Sequence, residues 1–221
     1  MSEEYSALAQ ARASLYSLIN VHFLVLPDPL FIERIRSAAF RTSLAALSVD
    51  SDLSETLTAG ASLMLKYIES TLGQDVSVLI QAIGVDRTRL YRGVSPALGL
   101  PPPCEAVWTS RESETAALLQ ELAALYKEDG LALATQERLD YIGVELDYIQ
   151  RLIQNEIAAW RNAEPERALM LQDKQQRFLD RHLSPWVLQF IKKALPLAAT
   201  DYYRGHLRML DGLLKSYMPF L

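Results

Sequence analysis

The sequence predicts an all-α fold of about nine to ten helices. Three observations carry that expectation. Apolar residues recur at steps of three and four along most of the chain, as one face of an amphipathic helix requires. No sustained alternation of apolar and polar residues occurs, and no Asn-Gly or Asp-Gly pair is flanked by strand-like runs. Capping and breaking residues punctuate the periodic stretches, and no internal repeat is present.

The elements follow in order. Tyr5, Leu8, Arg12, Leu15, Ile19 and Phe23 form the first stripe. Asp28-Pro29 restarts the pattern, because Asp caps free amides and Pro loses no hydrogen bond at the first helical position. Asp52, with Glu55 three residues on, has capping-box spacing and opens a stripe of Leu57, Ala61, Met64, Leu65 and Ile68. Gly73 is placed to close this helix in the left-handed conformation. Val76, Leu79, Ile80 and Ile83 continue, with Gly84 as a weak point before Asp86 to Tyr91. Residues 93–103 hold four of the ten prolines and cannot form a continuous helix. Periodicity returns with Leu118, Leu122, Leu125 and Tyr126 and stops at Gly130. Asp140 opens the clearest helix, whose apolar face is Ile142, Leu146, Ile149, Ile153, Ile157 and Trp160. Pro165 and Ser184-Pro185 start two more, Pro196 breaks the second, and Thr200 or Asp201 begins the last. The expected organisation is one helical domain over 1–221. Its N-terminal half, about 1–128, and C-terminal half, about 138–221, are joined through the Pro-rich loop and a polar hinge.

Composition narrows the function classes. Asp and Glu number 27 against 22 Lys and Arg, a net charge of −5, which disfavours nucleic-acid binding through phosphate neutralisation. One cysteine, Cys104, excludes an intrachain disulfide and a Cys-based zinc site and fits a reducing compartment. The start, Met1-Ser2-Glu3-Glu4, lacks the basic and apolar regions of a secretory signal, and no stretch nears the ~18 apolar residues of a membrane span. The expectation is a soluble cytoplasmic protein without membrane insertion.

Catalytic signatures are missing. There is no Gly-rich phosphate loop, His-Glu-x-x-His or Gly-x-Ser-x-Gly. His22, His182 and His206 fall on three separate helices, and no metal site is expected. Cys104 has no evident base beside it. The acids Asp140, Glu145 and Asp147 admit two readings. In one, Asp140 caps its helix, Glu145 favours the dipole and Asp147 pairs with Arg151. In the other, they form an acidic site for a basic ligand.

Four motifs then occur in order. Arg89-Leu90-Tyr91-Arg92-Gly93 is followed by Pro101-Pro102-Pro103-Cys104-Glu105-Ala106-Val107-Trp108; next comes Asp140-Tyr141-Ile142-Gly143-Val144-Glu145-Leu146-Asp147-Tyr148. Phe178-Leu179-Asp180-Arg181-His182-Leu183-Ser184-Pro185-Trp186 and Asp201-Tyr202-Tyr203-Arg204 complete the series. Together they resemble the signatures of the TorD/DmsD family, chaperones for molybdopterin oxidoreductases. The resemblance spans roughly residues 86 to 214; before it the chain matches only as an amphipathic helical region. Four positions depart from the pattern: Cys104 stands for an aromatic, Ala106 for Ser, Trp108 for Tyr and Tyr141 for the usual His.

The resemblance implies a TorD-like fold and a non-catalytic chaperone. Such a protein binds the twin-arginine leader of an apo-oxidoreductase catalytic subunit and assists molybdopterin insertion before export. It implies no cofactor of its own, although some members bind guanine nucleotides weakly, and either a monomer or a domain-swapped homodimer. A leader with two arginines and an apolar stretch needs carboxylates at one end of a groove and apolar walls beyond. Asp140 and Glu105 are the candidate carboxylates, and Leu90, Tyr91, Pro103, Trp108 and Tyr141 the candidate wall; Glu145 belongs to the same acidic cluster. Each has a structural alternative: Glu105 as a helix cap or partner of Arg89 or Arg92, Tyr91 and Trp108 as core, Glu145 as part of the frame. His182 and Trp186 are expected to fix the packing of two C-terminal helices. The rival function is a helical small-molecule-binding or regulatory domain.

Overall fold

The computed structural model describes residues 2–93, 100–109, 112–131 and 136–215. Within them the chain forms eleven α-helices and no strands. They are α1 (Ser2–Leu24), α2 (Pro29–Arg36), α3 (Ala38–Val49), α4 (Glu55–Ser70), α5 (Val76–Tyr91) and the short α6 (Glu105–Trp108). There follow α7 (Thr115–Glu128), α8 (Ile142–Arg161), α9 (Pro165–Phe178), α10 (Ser184–Ala194) and α11 (Asp201–Lys215). Part of the Pro-rich loop, 94–99, and part of the polar hinge, 132–135, lie outside the described residues.

Two compact units emerge. The first combines residues 1–23 with 103–187; the second combines 24–102 with 188–219. Each thus draws on early and late parts of the chain.

In the first unit α8 is the central rod, with Ile142, Leu146, Ile149, Leu152, Ile153 and Ile157 buried. Helix α1 lies along it: Tyr5 stacks on Trp160 at 4.8 Å between ring centres, Arg12 reaches Glu156, and Asn20 reaches Asp147. The buried face of α1 is Ser6, Ala9, Ala13, Tyr16, Ile19 and Phe23, rotated from the expected stripe so that Leu8 is exposed. Helix α7 ends where expected. Gly130, at φ +71°, takes the left-handed conformation, and the Leu131 N–H closes back on the Tyr126 carbonyl at 2.9 Å. Between α9 and α10 the backbone stays helical but widens into a π turn, Leu179–Leu183. The wide turn precedes Pro185, which has no N–H to donate, so Ser184-Pro185 follows a helical turn rather than starting a helix from a loop.

In the second unit α4 packs on α11 at glycines. A Cβ added at Gly60 would meet the Gly205 carbonyl oxygen at 2.7 Å, so only hydrogen fits this crossing. Asp86 of α5 secures the start of α11: its carboxylate accepts from Ala199 N–H, Thr200 N–H and the Thr200 hydroxyl at 2.9, 2.8 and 2.7 Å. Three local expectations change here. Ser54, directly before Glu55, caps α4 in place of Asp52. Helix α4 closes at Thr71, and Gly73 is not left-handed. Helix α5 passes through Gly84 unbroken, because an interior glycine costs only about 1 kcal/mol and Leu79, Ile83 and Leu90 are buried on either side.

Candidate functional site: buried acids behind an open groove

Asp140 does not cap α8; Tyr141 occupies that position. The Asp140 side chain, fully buried, works across the chain instead. Arg138 clamps it through Nε and Nη2, both at 2.9 Å, and the Ala106 N–H donates to it at 3.1 Å. Backbone bonds complete the junction: Glu105 N–H to the Asp140 carbonyl at 2.8 Å, and Ile142 N–H to the Pro103 carbonyl at 2.9 Å. Cys104 and Tyr141 pair as an isolated antiparallel bridge. The end of the proline run is therefore fastened to the start of α8.

Two of the positions that depart from the resembled motifs are thus directly opposite each other. Cys104 faces Tyr141, so one large ring fills the pair. Tyr141 lays its ring edge-on against Phe23 and donates its hydroxyl to the Phe23 carbonyl at 3.1 Å. Burial, and then the charge of Asp140, push the Cys104 thiol up to about 12, which keeps it protonated and unreactive.

Behind this junction lie two more buried acids. Glu105, 1% exposed, meets His182 Nδ1 at 2.9 Å. Glu145 is fully buried, and neither of its carboxylate oxygens has a donor in hydrogen-bonding geometry; its polar neighbours are the Glu105 carboxyl and the Trp186 indole. Burial, followed by the charges of Glu105 and Asp140, holds Glu145 well above the usual carboxylate range. A proton on Glu145 lets it face Glu105 without two like charges in contact. Burial and the same acids also raise the Tyr126 phenol, which donates to the Leu139 carbonyl at 2.9 Å.

An open groove of about 1040 Å³ lies in the same unit, between α7, α8, α9 and the π turn. Leu125, Tyr148, Met170, Leu171 and Phe178 supply its apolar surface, and Met170 is exposed. Glu121, Glu128, Asp129 and Asp173 line it, each matched by a cation of the π turn or α9. Lys174 bridges Glu128 and Asp129 at 2.8 and 2.7 Å, Arg181 meets Glu121 at 2.6 Å, and Arg177 pairs with Asp173. Asp129 also accepts from the Tyr148 hydroxyl at 2.6 Å. His182 lines the groove as well, which makes it the link between groove and buried acids.

The expected site residues divide accordingly. Pro103, Glu105, Asp140, Tyr141 and Glu145 come together in the first unit and are buried; Trp108 is there too, half-buried on α6. Leu90 and Tyr91 are in the core of the second unit, where the Tyr91 hydroxyl meets His206 Nδ1 at 2.8 Å. Glu105 bonds His182, and the predicted Asp147–Arg151 pair is replaced: Asp147 accepts from Asn20 at 3.4 Å while Arg151 donates to the Asp129 carbonyl. The groove acids were not anticipated. Their signal was present as matched spacing, since Glu121 and Glu128 on one helix and Lys174 and Arg181 further on are each seven residues apart.

The class follows from these features: a helical protein whose buried polar groups brace its frame and whose first unit carries an open groove. Residues 52–192 match the family described as nitrate reductase delta subunit. The chain belongs to that family, part of the TorD/DmsD-like chaperones for molybdoenzyme assembly, which are not catalysts. No curated protein matches the chain significantly. Among the described residues no helix is long and apolar enough to cross a membrane.

Proposed function

We propose that this chaperone works in the cytoplasm on the apo catalytic subunit of a nitrate reductase. It binds that subunit's arginine-bearing leader in the groove of the first unit and holds the subunit while its molybdopterin cofactor is inserted. The observation that carries this reading is the groove itself. It combines an apolar surface, from Tyr148, Phe178 and Leu171 among others, with a row of carboxylates that an arginine can engage. A leader is built to the same plan, with basic residues followed by an apolar stretch.

Of the residues expected from the sequence, Glu105 reaches the groove through His182. Asp140, Tyr141 and Pro103 brace the junction behind it, and Trp108 keeps accessible surface for the leader's apolar part. The test is co-purification of a nitrate reductase catalytic subunit, intact and with its leader deleted. Retention of the intact subunit and loss of the truncated one is expected. Equal capture of both would place recognition elsewhere on the subunit.

A further inference from the structure

His182 carries an unfinished hydrogen-bonding arrangement. Its ring is 1% exposed, Nδ1 meets Glu105 at 2.9 Å, and Nε2 has no hydrogen-bond partner. Buried polar atoms are nearly always paired, and one left open at the wall of a groove marks a position for a ligand group. Its chemistry is defined by the other nitrogen. With the Nδ1 proton donated to the Glu105 carboxylate, Nε2 presents a lone pair, so the missing group is a donor. With its proton held, the neighbouring Glu145 brings no second negative charge against the Glu105 oxygen that accepts from Nδ1.

A second acceptor lies beside the first: Glu121 Oε1 is 3.8 Å from Nε2. The charged groups facing the imidazole are thus Glu105 from α6 and Glu121 from α7, with Glu145 of α8 behind Glu105 and Arg181 on the same turn. The ring of Phe178, 4.7 Å from that of His182, adds a flat apolar surface. One charged and one neutral acceptor beside an aromatic face suit a planar cation with several N–H groups better than a compact ammonium. A guanidinium already stands at the rim: Arg181 Nη2 is 2.6 Å from Glu121 Oε1, on a side chain 62% exposed, against 35% for Glu121. An exposed pair of this kind is weak and easily exchanged.

We propose that Glu121 and His182 Nε2 form a subsite for one guanidinium of a bound peptide, and that Arg181 occupies its carboxylate in the free protein as an internal competitor. Glu105 is the positioning residue that holds the imidazole with its lone pair toward the groove. The inference rests on the leader-binding reading and adds to it the residues that read an arginine.

The test uses the full chain and synthetic nitrate reductase leader peptides, with either arginines or neutral citrullines at the basic positions, measured by calorimetry. Wild type is expected to prefer the arginine peptide by about tenfold, the scale of one charge-assisted hydrogen bond. Glu121→Gln abolishes that preference. Arg181→Gln tightens the arginine peptide several-fold and leaves the citrulline peptide unchanged. Both positions are accessible, so neither variant threatens the fold, and circular dichroism verifies this. If wild type prefers the arginine peptide and both variants behave like it, the subsite assignment is overturned and leader binding stands. If wild type binds neither peptide, the leader-binding reading falls, and the subsite with it.

Discussion

Helix α8 carries two buried glutamates on one face, three turns apart, and the protein treats them in opposite ways. At the C-terminal end Glu156 is saturated. Arg12 Nη2 spans both its oxygens at 2.7 and 2.6 Å, Gln172 and Gln175 donate at 2.7 and 2.9 Å, and the Trp160 indole donates at 3.2 Å. At the N-terminal end Glu145 has no such donor and sits beside another acid. Same residue, helix and burial; only the donors differ. One end is a closed network that ties α1, α8 and α9 together. The other tolerates a buried acid by keeping it protonated, which preserves the neighbouring Glu105 as an acceptor for His182. Saturation marks the structural end, and the open arrangement marks the end joined to the groove through Glu105 and His182.

The sharpest way to break the comparison is to remove the saturated acid. Glu156→Ala removes the carboxylate that Arg12 and two glutamine amides share, and breaking a buried charge pair costs about 3–5 kcal/mol. Urea denaturation is expected to show a loss of that size, with leader affinity unchanged wherever the variant remains folded. Next comes Asp140→Ala. It removes the Arg138 clamp and the acceptor of the Ala106 N–H, so a loss of about 1–3 kcal/mol is expected. Faster amide exchange at Ala106 would localise it. An unchanged urea midpoint would show that the junction between the proline run and α8 does not depend on this carboxylate.

Much of the frame was legible in the sequence because it obeys local rules. The start of α2 at Asp28-Pro29, the stop of α7 at Gly130 and the apolar face of α8 are written in capping residues and periodicity. Other features depend on partners distant in sequence. Arg12 sits in the apolar stripe predicted for α1, and its bond to Glu156 explains a cation there. Asp140 has the residue type and position of a helix cap, yet its side chain is drawn to Ala106 and Arg138, and spacing along one helix cannot reveal this. The candidate site was legible to the level of the motifs. Glu105, Asp140, Tyr141 and Glu145 were singled out and do converge, whereas the groove acids lie on α7, just after it and on α9, outside every motif. His182 was read as a packing residue because its bond to Glu105 joins positions 77 residues apart.

The smallest effect expected is the most diagnostic for the open end of α8. In the unfolded chain Glu145 ionises in the ordinary carboxylate range; in the fold, burial and the charges of Glu105 and Asp140 retain its proton to higher pH. Between those two points the native state binds more protons than the unfolded state, so this residue's contribution makes stability fall as pH rises. Below the ordinary carboxylate range both states are protonated and the penalty vanishes. Glu145→Gln keeps the shape and cannot ionise. Near pH 4 the variant is therefore expected to match wild type. Near pH 8 it should exceed wild type by more than the roughly 0.5 kcal/mol scatter of neutral substitutions. A variant less stable than wild type at high pH would show that the ionised carboxylate is stabilised by its surroundings, and the two ends of α8 would then be alike.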